Sequence, residues 1–492
     1  MSVLVLAGCA SSDEASSRPT RPHVVLVVLD EFPGDTLLGP DGRIDAGRFP
    51  NFAALGADST WFRNAYTAYD ETTKAVPLIL DGIRPRKGVS PIARDHPRSI
   101  FTALGRHGYR IVTSEEATAI CPRRYCPAER KRRPAIIPNL KGGRAERFGR
   151  FISSIRASSR PTFWMKHALL PHGPWVYMPS GHRSRPEGPE FLPGMQTIPG
   201  FYDDYLTRHN EQRYLLQLGF VDRLLGRLVA RLKSEGMYDE TAIVVTADHG
   251  FAWQVGVPTR RSVNPSNVEE LGPVPLFVKA PRQTRGRVSD ALARTLDVTP
   301  TIADVLNVPL GYRADGSSAF SREVRARGQV SLTERDFSSV VRISPSRWET
   351  RRRAVVRRRL RQLGSGDWAS LYTSLGPNRN LIGERADDVQ AASGARATIS
   401  LSRSFARVRR SSGVVPCQIA GRIHGSDRQD ERDLAIAVNG RIEAVGRSFH
   451  LKGERVESYS VMVPEDALRE GSNTVEVLEV TDEGAMVLLA RS

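Results

Sequence analysis

Two uninterrupted apolar runs, residues 24–29 and 242–245, are the clearest feature in the pattern of hydrophobic and polar positions. Both are short and rich in β-branched residues, which is typical of strands buried on both faces of a parallel sheet. Asp30 directly follows the first run, and Asp248 and His249 come soon after the second. Open α/β sheets carry their chemistry at the C-terminal ends of strands, and carboxylate oxygen and imidazole nitrogen both bind divalent metals. We therefore expect a metal site here, and an ordinary loop containing these residues is the alternative.

A third segment, between the two runs, offers a nucleophile. Thr72 and Thr73 stand just ahead of a short apolar stretch with helical spacing, and this stretch ends at Gly82. A hydroxyl group at a helix N-terminus, where the backbone N–H groups favour anions, is well placed for attack on an anionic ester. Plain N-capping by either threonine is the structural alternative.

Taken together, these segments resemble the alkaline phosphatase and sulfatase superfamily over roughly residues 22–320. The residues that carry the resemblance are Asp30 after the first strand, Thr72 ten residues before Gly82, His172 in the Pro-His-x-Pro-like residues 171–174, Asp248-His249-Gly250, and the Asp-x-x-Pro-Thr residues 297–301. The resemblance implies an alkaline-phosphatase-like, mostly parallel sheet flanked by helices. It also implies a divalent metal held by Asp30, Thr72, Asp248 and His249, with Thr72 as the nucleophile.

Departures from the superfamily patterns narrow the choice of branch. Type I sulfatases make their catalytic aldehyde from Cys or Ser and carry an Arg four residues later, whereas Thr72 and Val76 occupy these positions here. The two-zinc branch uses an Asp-x-x-x-His pair, and the nearest local candidate, at residues 203–209, has the wrong spacing. We therefore expect one divalent ion (Mn, Mg, Ca or Zn), as in the lipoteichoic acid synthase and phosphoglycerol transferase branch. Glu31 replaces a second Asp, and whether it is a ligand stays open.

The resemblance implies transfer or hydrolysis of a phosphoglycerol-type phosphate ester through a phospho-threonine intermediate. His172 would protonate the leaving alkoxide or help to bind the phosphoryl oxygens. Arg260 and Arg261 are candidates for a clamp on the anion, with a solvated loop as the alternative. A sulfate-ester or phosphodiester hydrolase, with water as the acceptor, and an inactive envelope-binding protein are the competing functions.

The pattern changes late in the chain. Strand-like and helix-like segments alternate up to about residue 385, whereas short alternating segments follow, with Asn439-Gly440 as a two-residue hairpin turn. We expect a leader and tether at residues 1–21, a sulfatase-like catalytic domain at 22–385 and a β-sandwich accessory domain at 386–492. The accessory domain would cover a face of the enzyme or bind wall polymer.

The net charge of the chain indicates what kind of partner it binds. The chain has 71 Lys and Arg against 54 Asp and Glu, a formal charge of +17, which favours anionic phospholipids or envelope polymers. We find no nucleic-acid-binding module and expect no nucleic acid partner. Two arginine triplets, residues 351–353 and 357–359, fall on a predicted helix ending near Leu363, and a solvated face is the plainest interpretation of them.

The cysteines indicate the compartment. Residues 4–9 resemble a bacterial lipobox, which would anchor the chain to a membrane through a lipid on Cys9 and make it an extracytoplasmic envelope lipoprotein. Only eight residues precede Cys9 and none is Lys or Arg, so a chance match is the alternative. Cys121 and Cys126 could close a small disulfide loop in such an oxidising compartment, and we expect Cys417 to be buried.

Overall fold

The computed structural model describes residues 21–127, 134–186, 203–256, 260–386, 389–391, 394–425, 431–451 and 454–492. The lipobox-like segment and its tether lie outside the described residues. Within them, no helix is long and apolar enough to cross a membrane.

The N-terminal part is built on a seven-stranded sheet in the order β3-β4-β1-β5-β6-β2-β7. Its strands are β1 His23–Asp30, β2 Thr60–Phe62, β3 Arg110–Ser114, β4 Thr162–Pro171, β5 Thr241–Ala247, β6 Leu276–Lys279 and β7 Arg287–Ser289. The four strands from β3 to β5 in this order are parallel, and β6 runs antiparallel to its neighbours β5 and β2. Both apolar runs of the sequence are thus adjacent strands, every residue of which is buried.

Helices pack around this sheet and continue beyond it. They are α1 Pro50–Asp58, α2 Thr72–Asp81, α3 Ile100–Arg106, α4 Ile136–Leu140, α5 Arg144–Ser153, α6 Asp204–Ser234, α7 Val268–Leu271, α8 Val298–Val305, α9 Arg322–Arg325, α10 Pro345–Leu363, α11 Ala369–Thr373 and α12 Ser402–Phe405. A separate two-stranded sheet joins β8 Val330–Thr333 to β9 Val340–Ile343.

The C-terminal part is an eight-stranded sheet in the order β10-β17-β16-β13-β14-β15-β12-β11. Its strands are β10 Gln390–Ala391, β11 Arg396–Ile399, β12 Gln418–His424, β13 Asp433–Val438, β14 Arg441–His450, β15 Glu457–Met462, β16 Val475–Val480 and β17 Met486–Arg491. The first part of β14 pairs with β13 and its last three residues pair with β15, so one long strand joins the two halves of the sheet. The prediction of a mostly parallel α/β sheet followed by an all-β domain is confirmed.

Local predictions for this domain and for the cysteines are confirmed as well. Asn439 and Gly440 both adopt positive φ angles, 53° and 81°, and turn β13 into β14. Cys121 and Cys126 form a disulfide, and Cys417 is buried.

The β domain packs against the start of α6. The backbone N–H of Arg447 donates to the Tyr205 hydroxyl across 3.0 Å, and His209 Nε2 lies 3.0 Å from the Ser460 hydroxyl. His209 is fully buried in this contact, away from the metal candidates. The domain therefore covers a face of the α/β part.

The sequence suggested that the arginines of helix α10 form a solvated face, but the structure buries some of them. The helix spans residues 345–363 as predicted, but Arg352 forms a buried ion pair with both carboxylate oxygens of Asp35. Arg359 is buried too and donates to the carbonyls of Asp35 and Leu38. Only the outer arginines, such as Arg353, face solvent. The buried arginines bind backbone and carboxylate oxygens of the loop after β1 and so fix α10 to the α/β core.

Candidate active site

The ends of β1 and β5 bring the two acidic segments side by side. Leu29 is in register with Ala247, and the next residue on each strand, Asp30 or Asp248, lies at the same edge of the sheet. The Asp248 N–H donates to the Leu29 carbonyl at 3.0 Å, which ties the two strand ends together. Position 250 is a glycine because a Cβ there would lie only 2.8 Å from the Glu270 carbonyl oxygen.

Asp30, Asp248 and His249 offer ligand atoms that all lie within 4.8 Å of one another, and all three residues are buried. One oxygen of each aspartate, Oδ2, is buried without a hydrogen-bond partner. His249 Nδ1 donates to the Gly250 carbonyl at 2.7 Å, which orients Nε2 toward Asp248 Oδ2, 3.6 Å away. Two orphaned carboxylate oxygens and an imidazole nitrogen fit a divalent cation.

The electrostatics of the two aspartates support this assignment. Burial raises the pKa of Asp30 well above its usual value, and the nearby Asp248 raises it further. Burial likewise raises the pKa of Asp248, to about 7, although hydrogen bonds from the His249 and Glu31 N–H groups oppose the shift. Two such carboxylates remain ionised together most readily when a cation lies between them.

Thr72 is the first residue of α2 and faces this cluster. Its Oγ1 lies 3.4 Å from Asp30 Oδ1 and 3.3 Å from His249 Nε2. The Thr73 hydroxyl instead donates to Glu71 at 2.6 Å. Glu71 is the N-cap but makes no capping hydrogen bond through its side chain, and Gly82 ends the helix with a φ of 68°. Neither threonine caps the helix, so the predicted nucleophile, Thr72, is the one that faces the metal ligands.

Glu31 adopts a left-handed backbone conformation, with φ at 57°, and its fully buried side chain faces two arginines. Arg260 Nη2 lies 3.3 Å from each Glu31 carboxylate oxygen, and Arg261 Nε contacts Oε1. Burial would raise the pKa of Glu31, but Arg260 and then Arg261 outweigh it and hold the pKa well below its usual value. Glu31 is thus an ionised partner of the arginine pair, separate from the three clustered ligands.

His172 follows β4 and lies on the arginine side of the site. Its Nδ1 donates to the Gly173 carbonyl at 2.6 Å, and its Nε2 accepts a hydrogen bond from Arg261 Nη2 at 2.5 Å. Burial lowers the pKa of His172, Glu31 opposes this shift, and Arg261 and Arg260 reinforce it, so that the pKa is about 3. The imidazole is therefore neutral and carries no proton on Nε2 in this arrangement.

Two supporting residues could not be recognised in the sequence. Thr67 donates to the Asp248 carbonyl at 2.7 Å, and Asp70 accepts from the Val263 N–H at 2.7 Å. The first contact fixes the segment that leads to Thr72, and the second fixes the loop that carries the two arginines. Lys74 is turned away and its ammonium contacts the Val89 carbonyl.

Comparisons with known proteins identify the family of the chain and agree with its fold. A family model described as Sulfatase matches residues 22–308. Human N-sulphoglucosamine sulphohydrolase is 24% identical over 310 residues, which cover 56% of this chain and 60% of that protein. The multifunctional alkaline phosphatase superfamily protein PehA of Trinickia caryophylli is 22% identical over 318 residues, 58% of this chain and 56% of PehA. The chain therefore spans less than two thirds of the length of these relatives.

A solved structure shares the fold. The structure of BT4656 in complex with its substrate D-glucosamine-2-N,6-O-disulfate aligns with a TM-score of 0.51 and 15% identity. The alignment covers 66% of this chain and 87% of BT4656.

Proposed function

The chain belongs to the sulfatase family, and from this premise we propose that it is a metal-dependent enzyme that cleaves a monoanionic phosphoryl ester with Thr72 as the nucleophile. The observation that carries the proposal is the position of the Thr72 hydroxyl, 3.4 Å from Asp30 and 3.3 Å from His249 at the start of α2.

A threonine nucleophile favours cleavage of a phosphate ester over the aldehyde mechanism of type I sulfatases. The aldehyde of type I sulfatases is made by oxidising Cys or Ser, whereas oxidation of a secondary alcohol such as Thr gives a ketone. Thr72 would instead attack phosphorus directly, forming a Thr–O–P bond and losing its hydroxyl proton as the ester O–P bond breaks. The leaving alkoxide would take a proton from water and depart as the alcohol. Water or a polyol hydroxyl would then attack phosphorus, break the Thr–O–P bond and return a proton to Thr72. A divalent cation, when bound, would lower the pKa of the Thr72 hydroxyl and neutralise phosphoryl charge.

Protein groups beside the metal ligands would hold the anion. Arg260 and Arg261 supply guanidinium donors, and their pairing with buried Glu31 fixes their position. The N-cap residue of α2, Glu71, makes no side-chain capping hydrogen bond, so N–H groups at the start of the helix would add to this anion site. His172, neutral and held by Arg261, would help to position the arginine fork rather than supply a proton.

The charge balance favours a monoanion. The charged groups of the metal cluster and of the Glu31–arginine contact are Asp30, Glu31, Asp248, Arg260 and Arg261. With a divalent cation bound and the histidines neutral, these groups leave one net positive charge. A phosphodiester or phosphonate monoester cancels it, whereas a dianionic phosphomonoester would leave excess negative charge in a buried site. We infer that phosphodiester-type substrates are preferred, with a phosphoglycerol-type ester as the finer proposal and water or a polyol as the acceptor.

A sulfate monoester is the second candidate, because it is also monoanionic and because the human relative is named as a sulphohydrolase. The two candidates differ in the nucleophile they need, since Thr72 cannot yield the sulfatase aldehyde.

One experiment separates them. The purified, metal-loaded protein is offered bis-p-nitrophenyl phosphate, p-nitrophenyl phosphate and p-nitrophenyl sulfate, which share a leaving group. We expect kcat/KM for the diester to exceed both others by at least roughly tenfold, and the T72A variant to be inactive while T72S retains turnover. Faster sulfate-ester cleavage would favour the second candidate. Adding glycerol tests transfer, because an acceptor would convert the product to a glycerol phosphate ester.

We also propose that the chain acts at the outer face of a bacterial membrane, anchored through Cys9, where phospholipid headgroups and envelope polymers are available. The proposal predicts that C9A moves the protein from the membrane fraction to the soluble fraction. A wild-type protein that already fractionates as soluble would remove this support for an envelope substrate.

A further inference from the structure

A cavity of about 260 Å³ lies on the outer face of α2, away from the metal ligands. One wall consists of helix residues spaced three or four apart, including Lys74, Leu78 and Asp81. The other wall is the loop at residues 83–98, which the Lys74 ammonium joins to the helix by its contact with the Val89 carbonyl. The cavity is thus bounded by the same helix that carries the proposed nucleophile.

Five basic side chains, against two acidic ones, line the cavity. The basic residues are Lys74, Arg84, Arg86, Arg94 and Arg98. The two acidic residues of the lining already have partners: Asp81 Oδ2 lies 2.7 Å from His96 Nδ1, and Asp95 Oδ1 accepts from Arg94 Nε at 2.9 Å.

The remaining cations of the lining lack this compensation. Among the contacts of the described residues, none pairs the side chain of Lys74, Arg84, Arg86 or Arg98 with a carboxylate, although the backbone N–H of Arg84 donates to Asp315. Positive charges collected around a concave surface raise the local concentration of anions, and guanidinium groups match phosphate or sulfate oxygens in geometry. The lining therefore favours an anionic ligand.

Its position relates the cavity to the active site. Lys74 follows Thr72 by two residues, and Asp81 ends the helix, so the cavity runs from the first turn of α2 for about 10 Å along the axis at 1.5 Å per residue. A chain that bears an anionic group on each repeat could occupy both places at once. We propose that this cavity is a second anion subsite, which binds a neighbouring phosphate group of a polyanionic substrate whose reacting ester lies at Thr72.

The link to Thr72 rests on the proposed function, but the anion site does not, and a binding experiment tests it directly. Short linear polyphosphate is titrated into the full chain by calorimetry, and wild type is compared with the R86Q/R98Q double variant. We expect the double variant to bind about tenfold more weakly, since two charge-assisted contacts are lost, and to show a weaker dependence on salt. The matched control is R223Q/R227Q, which removes the same charge from the exposed face of α6. Equal loss in the control, or no loss in R86Q/R98Q, would overturn the subsite.

A kinetic arm tests the connection to the reaction. With bis-p-nitrophenyl phosphate, which is too small to reach along α2, R86Q/R98Q should keep the wild-type kcat and KM. With a glycerophosphate oligomer the same variant should show KM raised about tenfold with kcat unchanged. If R86Q/R98Q and wild type had the same KM for the oligomer, the cavity would not bind the substrate that reacts at Thr72, even if polyphosphate binding were weakened. If the wild type turns over neither compound, the proposed function fails, while the calorimetric result still decides whether the cavity binds anions.

Discussion

Glu31 and Arg260 form a buried ion pair in which one guanidinium nitrogen, Nη2, lies 3.3 Å from both carboxylate oxygens. Glu31 directly follows Asp30, so neighbouring acidic residues serve different partners: Asp30 faces the metal cluster, and Glu31 faces the arginines. Glu31 lies just after β1 and has a left-handed backbone, so the direction of its side chain is not set by the alternation of an extended strand.

We predict that the E31Q variant still binds the metal but binds the anionic substrate more weakly. The amide cannot neutralise Arg260 and Arg261, so stability should fall by about 2–4 kcal/mol and KM should rise more than kcat falls. Thermal unfolding, steady-state kinetics and metal content by mass spectrometry check this. E31D is the matched control, since it keeps the charge and should recover part of KM. Loss of bound metal from a folded E31Q protein would show instead that Glu31 is a ligand.

Thr72 and Thr73 give a second prediction, because only Thr72 faces the cluster. T72A should lower kcat by at least roughly a thousandfold through loss of the nucleophile, with the fold unchanged by circular dichroism. T73A removes a hydrogen bond to Glu71 and should change kcat less than about tenfold. Acid quenching during turnover, followed by peptide mass spectrometry, should find the phosphoryl group on Thr72. A label on Thr73 would contradict the orientation of α2.

Much of this site could be predicted from the sequence because its signals are local. The apolar runs before Asp30 and Asp248 specify buried strands, and parallel strands place their C-terminal ends at one edge. The ten-residue offset from Thr72 to Gly82 corresponds to a short helix with a glycine that adopts positive φ at its end. These features require no knowledge of distant contacts.

What could not be predicted depends on contacts between distant residues. The partner of Glu31 lies 229 positions later in the chain, and that of Arg352 lies 317 positions earlier. A run of arginines is solvated on most helices, so nothing local shows that Arg352 is buried. The same holds for His172, whose tautomer is set by Gly173 and Arg261 together.

Metal removal should lower stability. Without a cation, the two clustered aspartates lose the charge that compensates them, so EDTA should lower Tm and Zn²⁺, Mn²⁺, Mg²⁺ or Ca²⁺ should restore it. A metal present at a hundred times its Kd contributes about 2.7 kcal/mol. D30N and D248N should bind metal weakly and show little response of Tm to EDTA. An EDTA response that is unchanged in both variants would place the metal elsewhere.

The buried arginines of α10 give a test of stability with an internal control. R352M breaks the ion pair with Asp35 and leaves that carboxylate buried, which should cost about 3–5 kcal/mol in urea unfolding. R353M alters the next residue, whose pair with Glu349 is exposed, and should change stability by less than about 0.5 kcal/mol. Similar losses in the two variants would mean that Arg352 is solvated in solution.

The contact between the domains should be sensitive to acid through His209. Burial and, next, the charge of Arg213 lower the pKa of His209 to about 3, whereas an unfolded histidine titrates near 6.5. Between these two pKa values the unfolded state binds a proton that the folded state does not bind. The contribution of His209 to stability is therefore complete above pH 6.5 and is lost as pH falls toward 3. In that window His209 changes the free energy of unfolding by about 1.4 kcal/mol per pH unit.

H209Q removes the titrating group next to Ser460 and should flatten the slope of unfolding free energy against pH, whatever the absolute stability of the variant. H424Q, at an exposed histidine of β12, should leave the slope as in wild type. Parallel slopes for H209Q and wild type would mean that His209 is protonated, and hence hydrated, in the folded protein.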